Sequence, residues 1–171
     1  KAAAELVSPG DTIILDASTS ALHLARHLKS IENLTVITNA EKIVMELCAC
    51  PSITLICTGG ILRKESLSYV GRAAEATLSG LQAGTAFLSC RGFNPERGFT
   101  DASEPESEMR RLMIRRAQKT VYLCDNTKFD RVAFVTTATL KEINTLVIDL
   151  PLPIGWKEVF SAAGVDVILA D

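Results

Sequence analysis

Apolar runs of strand length alternate along this chain with segments of helical periodicity, and this alternation limits its fold more than any other feature. Strands that are joined through helices pair in parallel within one sheet. The sequence therefore predicts an α/β fold, a largely parallel open sheet with helices on both faces. Predicted strands cover 12–16, 34–37, 53–57, 85–89, 120–124, 132–135, 145–149 and 165–169, and predicted helices cover 19–29, 40–49, 71–80, 105–117 and 155–163.

Two stretches interrupt that alternation. Residues 61–69 show no clear periodicity, and Cys90 to Pro105 form a polar stretch with few large apolar residues apart from Phe93 and Phe99. We predict a long loop for the second stretch. Loops of that length are uncommon within a compact domain and often carry function.

Size and charge narrow the classes of protein to which the chain can belong. Its 171 residues, 47% of them hydrophobic, suffice for a core, so residues 1–171 are expected to form one domain. The net charge of −2 provides no basic surplus. The chain by itself is therefore a poor candidate for binding nucleic acid.

The expected compartment is the cytoplasm, with no membrane contact. No apolar stretch has the length needed to span a bilayer, and the start of the chain lacks the apolar centre of a secretory signal. The five cysteines are odd in number and mostly lie within apolar runs, which favours buried, reduced thiols. Residues 2–7 resemble the end of a helix, so we expect that an upstream segment is missing.

The segment from Ile13 to Leu22 has the pattern of an anion site, because an apolar strand ends on Asp16 and small hydroxyl residues lead into a helix. Unpaired N–H groups at a helix start carry partial positive charge, and Ser18, Thr19 and Ser20 could hold a phosphate there. The structural alternative is that Ser18 or Thr19 simply caps the helix. Residue types alone favour the cap.

The next two predicted strands end in comparable loops. The second strand runs into Thr38 and Asn39, and the third runs into Gly59 and Gly60. The carboxyl ends of parallel strands lie along one edge of the sheet, where ligands bind. These loops are therefore predicted to line one cleft.

A phosphorylated sugar needs hydrogen-bond donors and cations for its phosphate, and carboxylates for its hydroxyl groups. Each residue also has a structural explanation, since glycines close turns, lysines are usually solvated and an acid in a first helical turn favours the helix dipole. The predicted donors are Ser18, Thr19, Ser20, Thr38, Asn39, Gly59 and Gly60; the cations are Lys128 and, with less support, Arg63 and Arg91; the hydroxyl acceptors are Asp16, Asp101 and Glu106.

We expect neither a metal nor a cofactor. His23 and His27 are four residues apart on a predicted helix, a spacing that can bind metal, but no third ligand is evident. The glycine loops Gly-x-x-x-x-Gly-Lys and Gly-x-Gly-x-x-Gly of nucleotide enzymes do not occur.

A cluster of arginines on the predicted helix 105–117 forms a basic face opposite an apolar stripe. Because the chain is acidic overall, we expect this face to be solvated or to contact another subunit rather than nucleic acid. The arginines are Arg110, Arg111, Arg115 and Arg116.

Taken in order, these segments resemble the C-terminal effector-binding domain of the DeoR family of bacterial sugar-metabolism repressors. The resemblance covers nearly the whole chain. In the first loop the family usually has Ser-Gly where this chain has Ala17 and Ser18, and it tends to have Asp at Gly84. The segments that carry it are Gly10 to Ser20, Val36 to Ala40, Thr58 to Arg63, Val70-Gly71, Arg91-Gly92-Phe93, Gly98-Phe99-Thr100, Glu106 to Ile114 and Asp125 to Phe129.

The resemblance implies a fold shared with ribose-5-phosphate isomerase and coenzyme A transferases. It also implies binding of a phosphorylated sugar or related effector, with Gly92, next to Arg91, added to the predicted ligand-binding residues. A homo-oligomer, a dimer or tetramer, is implied as well. Operator DNA would be bound by an N-terminal winged helix-turn-helix domain that is not part of this chain.

The leading interpretation is thus a ligand sensor without catalytic residues, and two enzymes are the alternatives. A sugar-phosphate isomerase needs a carboxylate base, yet the stretch 83–87, where those isomerases resemble one another in an acid-rich segment, contains no acid. Glu106 with Lys128 could serve in principle. A coenzyme A transferase needs a nucleophilic glutamate in a glycine-rich setting, whereas Glu104 and Glu106 flank Pro105.

Overall fold

The computed structural model describes residues 1–170 and has five α-helices and twelve strands. The strands are β1 (Thr12–Leu15), β2 (Leu34–Thr38), β3 (Ile53–Cys57), β4 (Ile61–Arg63), β5 (Ser68–Val70), β6 (Ala83–Leu88), β7 (Gly92–Asn94), β8 (Gly98–Asp101), β9 (Ala117–Cys124), β10 (Val135–Ala138), β11 (Thr145–Ile148) and β12 (Asp166–Leu169). The helices are α1 (Thr19–His27), α2 (Glu41–Leu47), α3 (Arg72–Ser79), α4 (Glu104–Arg116) and α5 (Trp156–Ala162), with 3-10 turns at Ala2–Leu6, Asn126–Lys128 and Leu140–Glu142.

Seven strands form one sheet in the order β12-β11-β9-β6-β1-β2-β3. Every neighbouring pair in this sheet is parallel. The chain moves from β1 outward to β3 and then returns to the other side of β1 as β6. The strand order therefore reverses between β1 and β6, and such a switch point is where open α/β sheets bind ligands.

Helices cover both faces of the sheet, because successive strand residues point to opposite faces and both sets are apolar. On one face, Ile13 and Leu15 pack with the apolar stripe of α1 and with α2. On the other face, Ile14 and Ile37 pack in the core that includes α3, α4 and α5. The predicted α/β architecture is confirmed, and the apolar stripe Ala21, Leu24, Ala25 and Leu28, along α1 and its C-cap residue, is buried.

The stretch Cys90 to Pro105, predicted as a loop, instead contains β7 and β8 and the start of α4. Strands β7 and β8 form a three-stranded antiparallel sheet with β10. Phe93 and Phe99 anchor it, since both are buried with ring centroids 4.4 Å apart. The loop prediction was wrong because these strands are short and rich in glycine and polar residues.

Two further predictions need correction. Residues 61–69, whose sequence shows no clear periodicity, form most of the β4-β5 hairpin. The strand predicted at 132–135 begins at Val135 as β10, and Phe134 is 84% exposed. Among the cysteines, Cys90 and Cys124 are buried, whereas Cys48 is exposed and the other two are partly exposed.

In the part of the chain that the structure describes, no helix is both long and apolar enough to cross a membrane.

Candidate functional site

A cavity of about 370 Å³ lies at the carboxyl edge of the large sheet, where the strand order reverses. It is bordered by the loop after β1, the start of α1, the β4-β5 hairpin, the loop after β6, the start of α4 and the loop after β9. Segments distant in sequence meet here because the parallel sheet places all its carboxyl ends at one edge.

The start of α1 forms one wall of the cavity. Ser18 is the N-cap residue, and its Oγ accepts a hydrogen bond from the Ala21 backbone N–H at 3.1 Å. The capping alternative is thus realised. Ser18, Thr19 and Ser20 nevertheless line the cavity. A cap and an anion site are compatible, because one side chain satisfies a single N–H of the first turn and leaves others free.

Beneath the cavity, Arg110 joins two buried carboxylates. Its Nε donates to Asp16 Oδ2 at 2.7 Å and its Nη1 donates to Asp101 Oδ2 at 2.8 Å. Arg110 is 7% exposed and Asp16 is 1% exposed. Burial opposes the charge of Arg110, but the two carboxylates outweigh burial and raise its pKa above the ordinary value.

Asp16 organises the loops around it. Its Oδ1 accepts from the Ser18 N–H at 3.1 Å, and its Oδ2 accepts from the Ser89 N–H at 3.1 Å as well as from Arg110. Both oxygens are thus engaged by the protein, and Asp16 does not line the cavity. It was predicted as an acceptor for a sugar hydroxyl, but in this geometry it fixes the loops after β1 and β6.

Glu106, in the first turn of α4, faces the β4-β5 hairpin. Its Oε1 accepts from the Ser68 hydroxyl at 2.6 Å. Burial disfavours its charge, but hydrogen bonds from Ser66 and Ser68 and the charges of Arg110 and Arg63 outweigh burial and lower its pKa below 4.5. Glu106 is therefore an ionised acceptor at neutral pH.

Four cations border the cavity besides Arg110. Lys42, Arg63 and Arg91 form no ion pair within residues 1–170. Lys128 lies 3.7 Å from Asp125, its partner across one 3-10 turn. A partly exposed pair at that distance is weak, so Lys128 remains available to an anion.

The structure brings together eight of the predicted residues as cavity lining: Ser18, Thr19, Ser20, Arg63, Arg91, Asp101, Glu106 and Lys128. Asp16 and five others lie outside the lining: Thr38, Asn39, Gly59, Gly60 and Gly92. Thr38, Asn39, Gly59 and Gly60 were predicted on the assumption that every strand end at one edge lines one cleft, and Gly92 was predicted from the family resemblance. The strand ends nearest the β1-β6 switch point do so, and those of β2 and β3 lie further out.

Each of these five outlying residues has a structural role or an open position. The Thr38 hydroxyl donates to the Leu15 carbonyl at 2.8 Å, and the Asn39 amide donates to the Tyr69 carbonyl at 3.0 Å. A Cβ on Gly60 would lie 2.7 Å from the Val70 carbonyl oxygen. A Cβ on Gly92 would collide with the Arg131 backbone, whereas one on Gly59 would meet nothing within 4 Å.

Sequence reasoning missed three cavity residues that matter here. Lys42 is the second residue of α2, and Ser66 lies in the β4-β5 hairpin, whose sequence shows no clear periodicity. Arg110 was predicted to belong to a solvated basic face, which was wrong for this residue. The signal that could have found it is its place directly after buried Met109, at the edge of the apolar stripe.

Among solved structures, the chain resembles ribose-5-phosphate isomerase A from Methanocaldococcus jannaschii in fold, with a TM-score of 0.54 and 16% identity. That match covers 75% of this chain and 50% of the isomerase. It also resembles eIF2B delta from Chaetomium thermophilum, with a TM-score of 0.60, 17% identity, and 85% and 52% of the two chains covered. These likenesses confirm the predicted fold.

Curated relatives are regulators. The chain is 41% identical over 147 residues to the HTH-type transcriptional regulator YulB of Bacillus subtilis, covering 86% of this chain. It is 36% identical over its whole length to the HTH-type transcriptional regulator GolR of Listeria innocua. The chain spans 57% of the first relative's length and 67% of the second's.

The family model described as the DeoR C terminal sensor domain matches residues 1–150. This match covers the whole cavity, whose last lining residue is Lys128. The chain therefore belongs to the DeoR family, in which it corresponds to the C-terminal sensor domain.

Proposed function

We propose that this domain is the ligand sensor of a bacterial repressor of sugar metabolism and binds a phosphorylated sugar or related metabolite in the cavity. The bound effector modulates operator binding by an N-terminal winged helix-turn-helix domain outside this chain. The protein acts in the cytoplasm as a homo-oligomer, a dimer or tetramer. Light scattering on the purified domain tests the oligomer directly.

The observation that carries this proposal is the composition of the cavity. The first turn of α1 and four cations, Lys42, Arg63, Arg91 and Lys128, border one space of about 370 Å³. Pockets for small metabolites start at about 300 Å³. Helix N–H groups and cations bind phosphate, while Glu106 provides an acceptor for hydroxyl groups. Both carboxylate oxygens of Asp101 already accept hydrogen bonds, from Arg110 and from the Ala102 N–H.

Regulation requires that the effector bind one conformation more tightly than another. The cavity is suited to this role because its walls come from separate elements, α1, α4 and the β4-β5 hairpin. A ligand that contacts all three favours the arrangement in which they are closest.

The lowered pKa of Glu106 supports a sensor over an isomerase. An aldose–ketose isomerase needs a carboxylate base whose pKa is near the working pH. Glu106 is instead held ionised by Ser66, Ser68 and nearby arginines, which makes it a weak base. We therefore expect no turnover of ribose 5-phosphate in a coupled assay, and measurable turnover would favour the enzyme.

A thermal-shift screen tests the proposal. Each sugar phosphate is compared with its unphosphorylated sugar on the same domain. We expect at least one phosphate to raise the melting temperature while its parent sugar does not. If every phosphate leaves the melting temperature unchanged, or if the parent sugars stabilise equally, the phosphate site proposed here is wrong.

A further inference from the structure

Two buried thiols lie side by side at the floor of the cavity. Cys90 follows β6 and lines the cavity, while Cys124 ends β9. Their sulfur atoms are 3.6 Å apart, and the residues are 6% and 8% exposed. No other contact between two cysteine sulfurs occurs among the hydrogen bonds of residues 1–170.

The sheet holds these two residues opposite each other. Strands β6 and β9 pair in parallel with Leu88 aligned to Tyr122, so Cys90 and Cys124 each stand two residues further on. The Ser89 hydroxyl donates to the Leu123 carbonyl at 2.7 Å, which keeps the strand ends together beyond the last paired residues. Neighbouring strands are about 4.8 Å apart. That spacing falls within the Cα separations that disulfides accept, roughly 4.4–6.8 Å.

We propose that Cys90 and Cys124 form a reversible disulfide when a hydroperoxide enters the cavity, so that this sensor also responds to oxidants. Cys90 is the sulfur exposed to the cavity, and it attacks the peroxide. The O–O bond breaks, Cys90 becomes a sulfenic acid and one water leaves. The Cys124 sulfur then attacks the Cys90 sulfur, the S–O bond breaks, and the released hydroxide takes up the Cys124 proton as a second water.

In total, the two thiols lose two electrons and two protons to one hydrogen peroxide, which becomes two water molecules. The second step, the attack by Cys124, is slow without a catalyst, since the hydrogen bond with Cys90 and burial raise the pKa of the Cys124 thiol. A slow reaction suits a response to sustained oxidant rather than a catalytic cycle.

Disulfide formation changes the cavity through the residues next to the two cysteines. An S–S bond of about 2.0 Å replaces a separation of 3.6 Å, so the two cysteine side chains must change conformation to bring their sulfur atoms together. Arg91 follows Cys90 directly, and Asp125 with its partner Lys128 follows Cys124; all three line the cavity. This consequence rests on the proposed function, because it concerns cations assigned to the phosphate.

The experiment uses a background variant with Cys48→Ser, Cys50→Ser and Cys57→Ser, which keeps the buried pair alone. The protein is treated with hydrogen peroxide, the remaining thiols are blocked, and proteolytic fragments are analysed by mass spectrometry without reduction. We expect a Cys90–Cys124 linked fragment, the loss of both free thiols, and complete reversal by dithiothreitol. The matched control adds Cys124→Ala, in which Cys90 stops at the sulfenic acid.

Oxidation of Cys90 without a linked fragment, or linkage between molecules alone, overturns the proposal. The linked fragment is sought in the triple-serine protein, so the result remains valid even if the Cys124→Ala variant does not fold. A second arm compares thermal stabilisation by ribose 5-phosphate and by inorganic phosphate before and after oxidation. Smaller stabilisation of the oxidised form supports the coupling, and equal stabilisation refutes it. If neither probe stabilises the reduced protein, that result counts against the proposed function and leaves the disulfide result intact.

Discussion

Arg110 connects α4 to the loop after β1 and to the end of β8, through Asp16 and Asp101. The arginines around it on α4 predicted a solvated face, and its burial depends on a partner 94 residues earlier in the chain. The position beside buried Met109 indicates that Arg110 is buried, but no local pattern identifies Asp16 as its partner. By contrast, the role of Ser18 as a cap was predictable, because the capping bond spans only three residues.

Replacing Arg110 by Ala should destabilise the domain strongly. The substitution leaves Asp16 and Asp101 buried without their cation, and breaking a buried ion pair in this way costs about 3–5 kcal/mol. Urea unfolding measures the loss. Arg115→Ala is the control, since Arg115 is exposed on the same helix and should change the free energy of unfolding by less than about 0.5 kcal/mol. Equal losses in the two variants would show that the buried network contributes little.

Glu106 should make stability depend on pH in the acid range. Its pKa in the folded state lies below the ordinary 4.5, so the unfolded chain binds more protons and stability rises with pH. The contribution is fully present above pH 4.5 and is lost as the pH falls through the lower, folded-state pKa. Glu106→Gln should therefore flatten the acid limb of a plot of unfolding midpoint against pH. Glu158→Gln, at an exposed site on α5, should leave that limb unchanged, and an unchanged limb in both variants would contradict the prediction.

At the scale of elements, the β4-β5 hairpin brings Arg63 and Ser66 to the cavity. Its entry is tight: Gly60 has φ +112°, and a Cβ there would lie 2.7 Å from the Val70 carbonyl oxygen. Gly59 also has positive φ, but a Cβ there would meet nothing within 4 Å. The two neighbouring glycines therefore separate the cost of backbone conformation from the cost of close packing.

Gly60→Ala should destabilise the domain more than Gly59→Ala does. The Gly59 variant carries only the conformational penalty of a left-handed residue, roughly 1–2 kcal/mol. In the Gly60 variant the new Cβ would also clash with the Val70 carbonyl oxygen of β5, so the two strands of the hairpin must shift apart. Urea unfolding and the rate of proteolysis within 61–70 provide the comparison. Equal free energies of unfolding and equal proteolysis rates for the two variants would show that the chain accommodates the Cβ at position 60 without added cost.

The elements that sequence predicted well and poorly differ in length and in apolar content. Strands β1, β2, β3 and β6 are longer and mostly apolar, interrupted by threonine and, in β6, by one glycine, and β3 was predicted with its observed bounds. Strands β4, β5 and β7 have three residues each, too few to show a period of two. Such short strands form because each pairs with a neighbouring strand, β4 with β5 and β7 with β8.

At the scale of the molecule, the reversal of strand order between β1 and β6 places the cavity. Alternating strands and helices predicted a parallel sheet, but not the order of its strands. That order decides which loops become neighbours. It explains why the loops after β1, β6 and β9 border the cavity while Thr38, Asn39, Gly59 and Gly60 do not.

Calorimetric titration of a sugar phosphate found in the thermal-shift screen tests the central claim most directly. It is carried out on the original domain, on Lys128→Ala and on Lys119→Ala, whose exposed lysine lies on β9 away from the cavity. A charge-assisted hydrogen bond contributes about 1.5–3 kcal/mol, so Lys128→Ala should weaken binding by at least about tenfold. Lys119→Ala should bind as the original domain does. Equal affinity of all three proteins for the phosphate would place its binding site elsewhere and contradict the account.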